Sequence, residues 1–210
     1  MYKLFVKRLL DIIVALVAMI PVGIVMLVVA PLIYFTDKGS VFYNAPRMGR
    51  NGKVFRMYKF RSMRMNAPDL RNADGSTYNG EDDPRVTKIG KIIRKTSIDE
   101  LPQILNVLKG DMSFVGPRPN LATGNYAEFD EVRKKRLTVR PGITGYSQAY
   151  FRNSIGQDEK FKNDCYYVDN ISFAMDIKIL FKTAMSVFMR KNIYVQTEAQ
   201  TEKETEKVNR

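Results

Sequence analysis

From Ile12 to Thr36 the chain runs IIVALVAMIPVGIVMLVVAPLIYFT, roughly 25 residues without a charge, which is enough apolar helix to cross a bilayer. The run continues through Leu32-Ile33-Tyr34-Phe35 with no A-x-A-like cleavage site, so it is expected to stay on the protein rather than be removed as a signal peptide. Pro21 lies near its middle, with Gly23 and Pro31 beyond. A proline there deletes one backbone hydrogen bond and kinks the helix. Lys3, Lys7 and Arg8 precede the run, and Lys38, Arg47 and Arg50 follow it. Basic flanks on both sides fit a re-entrant hairpin whose two ends stay cytoplasmic, and a straight span is the alternative. Asp11, at the edge of the run, has a capping or pairing role available to it.

Past the anchor the pattern changes. SVFYNAPRMGRNGKVFRMYKFRSM (Ser40 to Met63) alternates over two short runs around Asn51-Gly52, which predicts a small β-hairpin. Asn66 to Pro84 is polar and rich in Asp, Asn and Gly, a surface loop whose cluster Glu81, Asp82 and Asp83 is expected to be solvated. Ile89, Ile92 and Ile93 recur at helical spacing, as do Leu101, Ile104, Leu105 and Leu108. Asn125 to Arg136 predicts a short charged helix. Ile171 to Lys191 combines a broad apolar face with Lys178, Lys182, Arg190 and Lys191, which suits either an amphipathic helix in a membrane interface or an ordinary core helix. The polar end of the chain predicts disorder. The expected organisation is an anchor over 1–36, a catalytic domain over 37–191 and a polar tail over 192–210.

Composition narrows the chemistry. The chain has 210 residues and a formal charge of +12, so an anionic partner is expected: nucleic acid, lipid headgroups or a phosphorylated substrate. No histidine occurs and Cys165 is the single cysteine. An internal disulfide, a CxxC site and any histidine-dependent triad are thereby excluded, leaving carboxylates, Lys, Tyr or Cys165 to move protons. A metal would be held by oxygen ligands, as magnesium or calcium is. Neither a Walker A sequence nor GxGxxG is present.

Ser97-Ile98-Asp99-Glu100 matches a helix capping box, which would give Glu100 a purely structural role. Pro102 weakens that reading, because a helix starting at Asp99 keeps the proline in the first turn, where it costs little. The pair Asp99-Glu100 would then sit at a helix start, where free N–H groups favour negative charge and a nearby phosphate. Arg94 before it and Arg118 after it would offset the repulsion between two carboxylates and an anionic substrate. Arg118 stands in Gly116-Pro117-Arg118-Pro119, where restricted backbone suits phosphate binding or merely a rigid surface loop. Arg140-Pro141-Gly142-Ile143-Thr144-Gly145 is a second constrained turn, fit to clasp a nucleotide or to reverse the chain.

The run KTSIDELPQILNVLKGDMSFVGPRP (Lys95 to Pro119), with YKFRSM before it and RPGITG and DCYYVDNISFAMDIK after it, resembles the bacterial sugar transferases, the monotopic phosphoglycosyl transferases. The similarity extends from the anchor to about Lys191 and is closest in form to the minimal members. The resemblance implies an α+β, mainly helical monotopic membrane protein. Its parts would be a re-entrant helix-break-helix, a small β-hairpin and amphipathic interface helices. It implies that Asp99 attacks the sugar-bearing phosphate of a UDP-sugar, releases UMP and carries a phosphosugar that a polyprenyl phosphate then takes. Glu100 would bind Mg2+ and Arg118 would hold the transferred phosphate. Lys59, Arg94, Arg152, Asp164 and Asp176 match motif positions near the active site, though each residue type also serves structural salt bridges. Pro21 matches the proline of the membrane break, where the family often has Ser-Pro and this chain has Ile20-Pro21. The expected location is the bacterial inner membrane, with the catalytic domain on its cytoplasmic face. The alternative is a non-catalytic membrane scaffold in glycan assembly. No nucleic-acid-binding motif is present. Which sugar is used, and in which oligomeric state, no motif specifies.

Overall fold

The computed structural model describes residues 2–70, 78, 80, 82–151 and 154–189. Arg152, Glu81 and the polar tail lie outside them.

A short π-helical turn leads into α1 (Lys7–Asp37), a single helix of 31 residues, about 46 Å at the usual rise. It is long and apolar enough to cross a membrane. The break expected at Pro21 does not divide it: α1 runs through both Pro21 and Pro31. Packing explains the difference. Asp11, Ala15, Val22, Val29 and Ile33 recur on one face and are buried, so contacts on both sides of each proline hold the helical path although one backbone bond is lost. Ala15 and Val22 join Phe55, Met57, Ile104, Val107 and Met112 in one core cluster, while Val29 and Ile33 join Phe60 and Ile93 in another. The opposite face, including Leu16, Val17, Ile20, Ile24, Leu27 and Phe35, is exposed.

Both ends of α1 are tied to the same domain. Arg8 donates to the carbonyls of Val107 and Leu108 at 2.6 and 3.1 Å, and Asp11 accepts from Ser113 and the Phe114 N–H. At the other end Asp37 takes both terminal nitrogens of Arg61 at 2.6 Å.

The hairpin forms as the pattern predicts. β1 (Ala45–Met48) pairs antiparallel with β2 (Val54–Met57), Ala45 opposite Met57, and Asn51 and Gly52 take the positive φ values that such a turn needs. α2 (Lys88–Lys95) is capped by the Thr87 hydroxyl on the Gly90 N–H. A 3-10 turn, Ile98–Gln103, then leads into α3 (Ile104–Lys109), which Gly110 ends in the left-handed region. β3 (Ser113–Val115) pairs in parallel with β4 (Gly142–Thr144). α4 (Glu131–Arg136), α5 (Tyr146–Tyr150) and α6 (Gln157–Asp169) follow, and α4 packs on α6. The charged helix expected from Asn125 is split into a 3-10 turn, Tyr126–Glu128, and α4, which the Asp130 carboxylate caps.

α7 (Phe173–Phe188) covers β3, β4 and α5. It buries Ile179 and Asp176 and exposes Phe173, Ile177, Phe181 and Met185, so one face packs and another is bare and apolar. Asp83, expected in solvent, is 1% exposed. Arg85 caps both its oxygens, which turns an acidic loop residue into a buried pair.

Candidate active site

The dyad occupies the 3-10 turn before α3. Ser97 has φ 57 and its side chain caps nothing, so the capping box does not form and Glu100 is released from that structural role. Pro102 sits inside the turn, where the missing N–H costs little.

Lys59 arrives from the extension of β2, and a buried asparagine sets its approach. Asn106, fully buried in α3, accepts from the Tyr58 N–H at 2.8 Å and donates to the Arg56 carbonyl at 2.8 Å. The Phe60 N–H then donates to the Asp99 carbonyl at 2.9 Å. Bracketed between these bonds, the Lys59 ammonium lies 2.7 Å from Asp99 Oδ2 and 3.4 Å from Glu100 Oε1. Arg118 Nη2 donates to the same Glu100 oxygen at 3.0 Å. Asp99 Oδ1 and Glu100 Oε2 have no partner among the described residues.

Gly116-Pro117-Arg118-Pro119 is held from two sides. The Gly116 N–H donates to Thr144 and the Gly142 N–H to Pro117, an approach so close that a side chain at Gly142 would strike the Gly116 backbone. On the other side the Met48 N–H donates to Asn120. The two constrained turns therefore lie side by side, and Arg118 projects between them and β1 with its side chain 53% exposed.

The two carboxylates are tuned in opposite directions. Burial raises the pKa of Asp99 above its ordinary value, Lys59 opposes the shift and Glu100 adds to it. For Glu100 burial works in the raising direction too, but Arg118 and Lys59 outweigh it and hold the carboxyl at about 2. Glu100 is thus a fixed anion, and Asp99 a more basic carboxyl group whose upward shift the Lys59 ammonium opposes. Arg94 also lowers the Asp99 pKa and bonds Ser62 at 2.8 Å. The result is a basic carboxylate with one open oxygen beside an exposed guanidinium, suited to attack on a bound phosphate.

The family model for bacterial sugar transferases matches residues 2–190. The chain belongs to the bacterial sugar transferase family. It is 45% identical over 194 residues to galactosyl transferase CpsE of Streptococcus agalactiae, covering 89% of this chain and 43% of that protein. It is 41% identical to the uncharacterized sugar transferase EpsL of Bacillus subtilis, covering 90% of this chain and 91% of that one. With the undecaprenyl-phosphate galactose phosphotransferase of Salmonella typhimurium it shares 39% identity over 90% of this chain and 42% of the relative. The chain thus spans less than half of some relatives and nearly all of another.

In this sugar transferase Lys59, Arg94 and Arg118 gather around the dyad as expected, while Asp164 and Asp176 do not touch it. Asp164, 3% exposed, is closed off. Arg136 donates to its Oδ2 at 2.8 and 3.1 Å and Ser147 to its Oδ1 at 3.2 Å. The same Arg136 donates to the Arg118 carbonyl at 2.7 Å, so Asp164 acts on the site only through the loop that Arg118 occupies. Asp176 accepts from Tyr2, Lys7 and Tyr167 and ties the N-terminus to α7. Both carboxylates make the salt bridges that their residue type also allows, since position in a motif does not say which tertiary cation a buried carboxylate meets.

Arg47 is the site residue that sequence patterning missed. It lines the same cleft as Arg118 and Gln103, and its Nε is buried without a hydrogen-bond partner among the described residues. Burial, then the nearby Arg118, holds its pKa below the usual guanidinium range. Its signal was an arginine within a β-strand, a position that hides one cation between two backbones.

Among the described residues no group of three or more carboxylate, cysteine or histidine side chains is placed to cage a metal. The unengaged Oε2 of Glu100, on a carboxylate held anionic, fits an ion shared with substrate phosphates, as magnesium characteristically is.

Proposed function

We propose that this sugar transferase moves a sugar 1-phosphate from a UDP-sugar to a polyprenyl phosphate through a covalent phosphosugar on Asp99. The observation that carries this is the dyad itself: Asp99 has one oxygen paired with Lys59 and the other open, beside the exposed guanidinium of Arg118. In the first step Asp99 Oδ1 attacks the sugar-bearing phosphorus, the bond to the UMP oxygen breaks, and UMP leaves as an anion. In the second step an oxygen of the polyprenyl phosphate attacks the same phosphorus, and the Asp99 carboxylate leaves unchanged. Lys59 holds the nucleophile anionic without protonating it, Arg118 orients the transferred phosphate, and Arg47 meets the charge of the UMP portion. Glu100 would hold Mg2+, which would supply charge neutralisation on the phosphates.

The membrane reading rests on exposed apolar surface. The bare face of α1 and that of α7 would be costly in water, and both ends of α1 remain attached to the catalytic domain. That arrangement supports a monotopic protein embedded on one side, with the basic flanks of α1 on the cytoplasmic face.

Stoichiometric UMP release from a UDP-sugar, with a labelled sugar phosphate left on the protein when lipid acceptor is withheld, is the expected result. Asp99→Asn should abolish both. Normal turnover in that variant would remove Asp99 as nucleophile, and a panel of UDP-sugars would identify the donor.

A further inference from the structure

A second cationic region lies at the opposite end of α3 from the dyad, on the order of 15 Å away along the turn and helix. Here the N-terminus of α1, β3 and the Thr138-Val139-Arg140 segment line a small cavity open to solvent. Lys3, Lys7, Arg8, Arg50 and Arg140 line it, against the single carboxylate of Asp11. Asp11 is already occupied, accepting from Ser113 and the Phe114 N–H. Lys7 is matched by Asp176 at 2.6 Å. The other four cations form no ion pair with a carboxylate among the described residues and instead donate to backbone carbonyls. Lys3 reaches Val168, Arg8 reaches Val107 and Leu108, Arg50 reaches Thr138 and Arg140 reaches Gly110.

Arg50 and Arg140 each use only Nε in those bonds. Their terminal guanidinium nitrogens, the pair that grips a phosphate, have no acceptor among the described residues. Burial, then the charges of Arg8 and Arg50, lower the Arg140 pKa, as expected where like charges converge without a counterion. The rim adds a second kind of surface. Phe5, Val6 and Leu9 are exposed on the helix beside the basic residues, and Tyr2 packs edge-on against Phe173, whose neighbours Ile177 and Phe181 are also bare.

We infer that this cavity binds a phosphate-bearing anion, and that its occupant is the headgroup of an anionic phospholipid whose chains lie along the exposed faces of α1 and α7. The free terminal guanidinium nitrogens of Arg50 and Arg140 recognise the phosphate, the charges of Lys3 and Arg8 add to the attraction, and the apolar rim recognises the chains. The site is separate from the dyad and takes no part in phosphosugar transfer. It orients the protein by fixing the N-terminal end of α1 at the headgroup level.

The test uses the purified full chain in nonionic detergent, with the thermal unfolding midpoint followed against added phosphatidylglycerol, phosphatidylcholine or inorganic phosphate. Phosphatidylglycerol is expected to raise the midpoint saturably, phosphatidylcholine to leave it unchanged, and inorganic phosphate to act only at much higher concentration. Arg50→Gln and Arg140→Gln should each weaken the phosphatidylglycerol effect about fivefold, while UMP release by Arg50→Gln in a phosphatidylcholine background is unchanged. Undiminished affinity in both variants, or equal stabilisation by phosphatidylcholine, overturns the inference. Inorganic phosphate acting as strongly as the lipid supports the phosphate site and overturns the lipid as its occupant. If Arg140→Gln fails to fold through loss of its bond to Gly110, Arg50→Gln decides alone.

Discussion

Asp99 and Asp164 are buried to the same degree, each 3% exposed, and burial raises the pKa of both, yet they are equipped for opposite tasks. Asp164 spends both oxygens on protein donors, Arg136 and Ser147. Asp99 spends one on Lys59 and keeps the other open. Depth of burial does not separate the proposed nucleophile from a structural carboxylate here; saturation does. A closed acid can only hold its partners in place, whereas an acid with a free oxygen beside an exposed arginine can accept a phosphorus atom. Asp176, bound by Tyr2, Lys7 and Tyr167, falls with Asp164.

The largest effect that the contrast implies is at Asp99. Asp99→Asn should lower the rate of UMP release by about 10^4-fold or more, since an amide oxygen does not replace the proposed carboxylate nucleophile, while the thermal midpoint changes little. Removing the partner of the closed acid should invert this pattern. Arg136→Met leaves Asp164 buried without its cation and is expected to cost about 3–5 kcal/mol of stability in denaturant titration. It also releases the Arg118 carbonyl, so any activity left should show weakened substrate binding. If Arg136→Met were as stable as the parent, saturation would not be what makes Asp164 structural.

Several parts of this contrast were legible in the sequence, and their physical origins are local. A run with no charge announces α1, Asn51-Gly52 announces the hairpin, and Pro102 after Asp99-Glu100 argues against a simple cap; each signal lies within a few residues of its consequence. What was not legible depends on partners distant in the chain. Pro21 leaves α1 unbroken because Val22 and Val29 pack on other elements. Asp164 meets an arginine 28 positions earlier and Asp176 a lysine 169 positions earlier, and no spacing rule reaches that far. The parallel pairing of β3 with β4, which sets Gly116 against Gly142, is non-local in the same way, as is the placement of Arg47 in one cleft with Arg118.

A smaller effect sharpens the open side of the comparison. Arg118 is half exposed and pairs with Glu100 at 3.0 Å, so replacing it should not unfold the protein. Arg118→Lys keeps the charge and loses the planar fork. Turnover should fall about 10^2-fold with the thermal midpoint unchanged. An equal loss of stability and activity would place Arg118 with the closed network instead.

The smallest effect concerns a third closed acid. Asp83, 1% exposed, takes Arg85 Nε on Oδ1 at 2.9 Å, Nη2 on Oδ2 at 2.7 Å and the Arg85 N–H on Oδ1 at 3.0 Å. The Arg85 side chain first, aided by that backbone bond, holds its pKa below the ordinary carboxylate value. A carboxylate whose folded pKa is depressed contributes stability in full above its unfolded pKa and loses it as pH falls through the folded one. The advantage of the parent over Asp83→Asn should therefore be constant near neutrality and shrink as pH falls below the ordinary carboxylate range and through the depressed folded pKa. Chemical denaturation at stepped pH measures that gap directly. A gap that stays constant to the acid end would mean that Asp83 is not ionised against Arg85, and burial with both oxygens engaged would then no longer identify a structural ion pair in this protein.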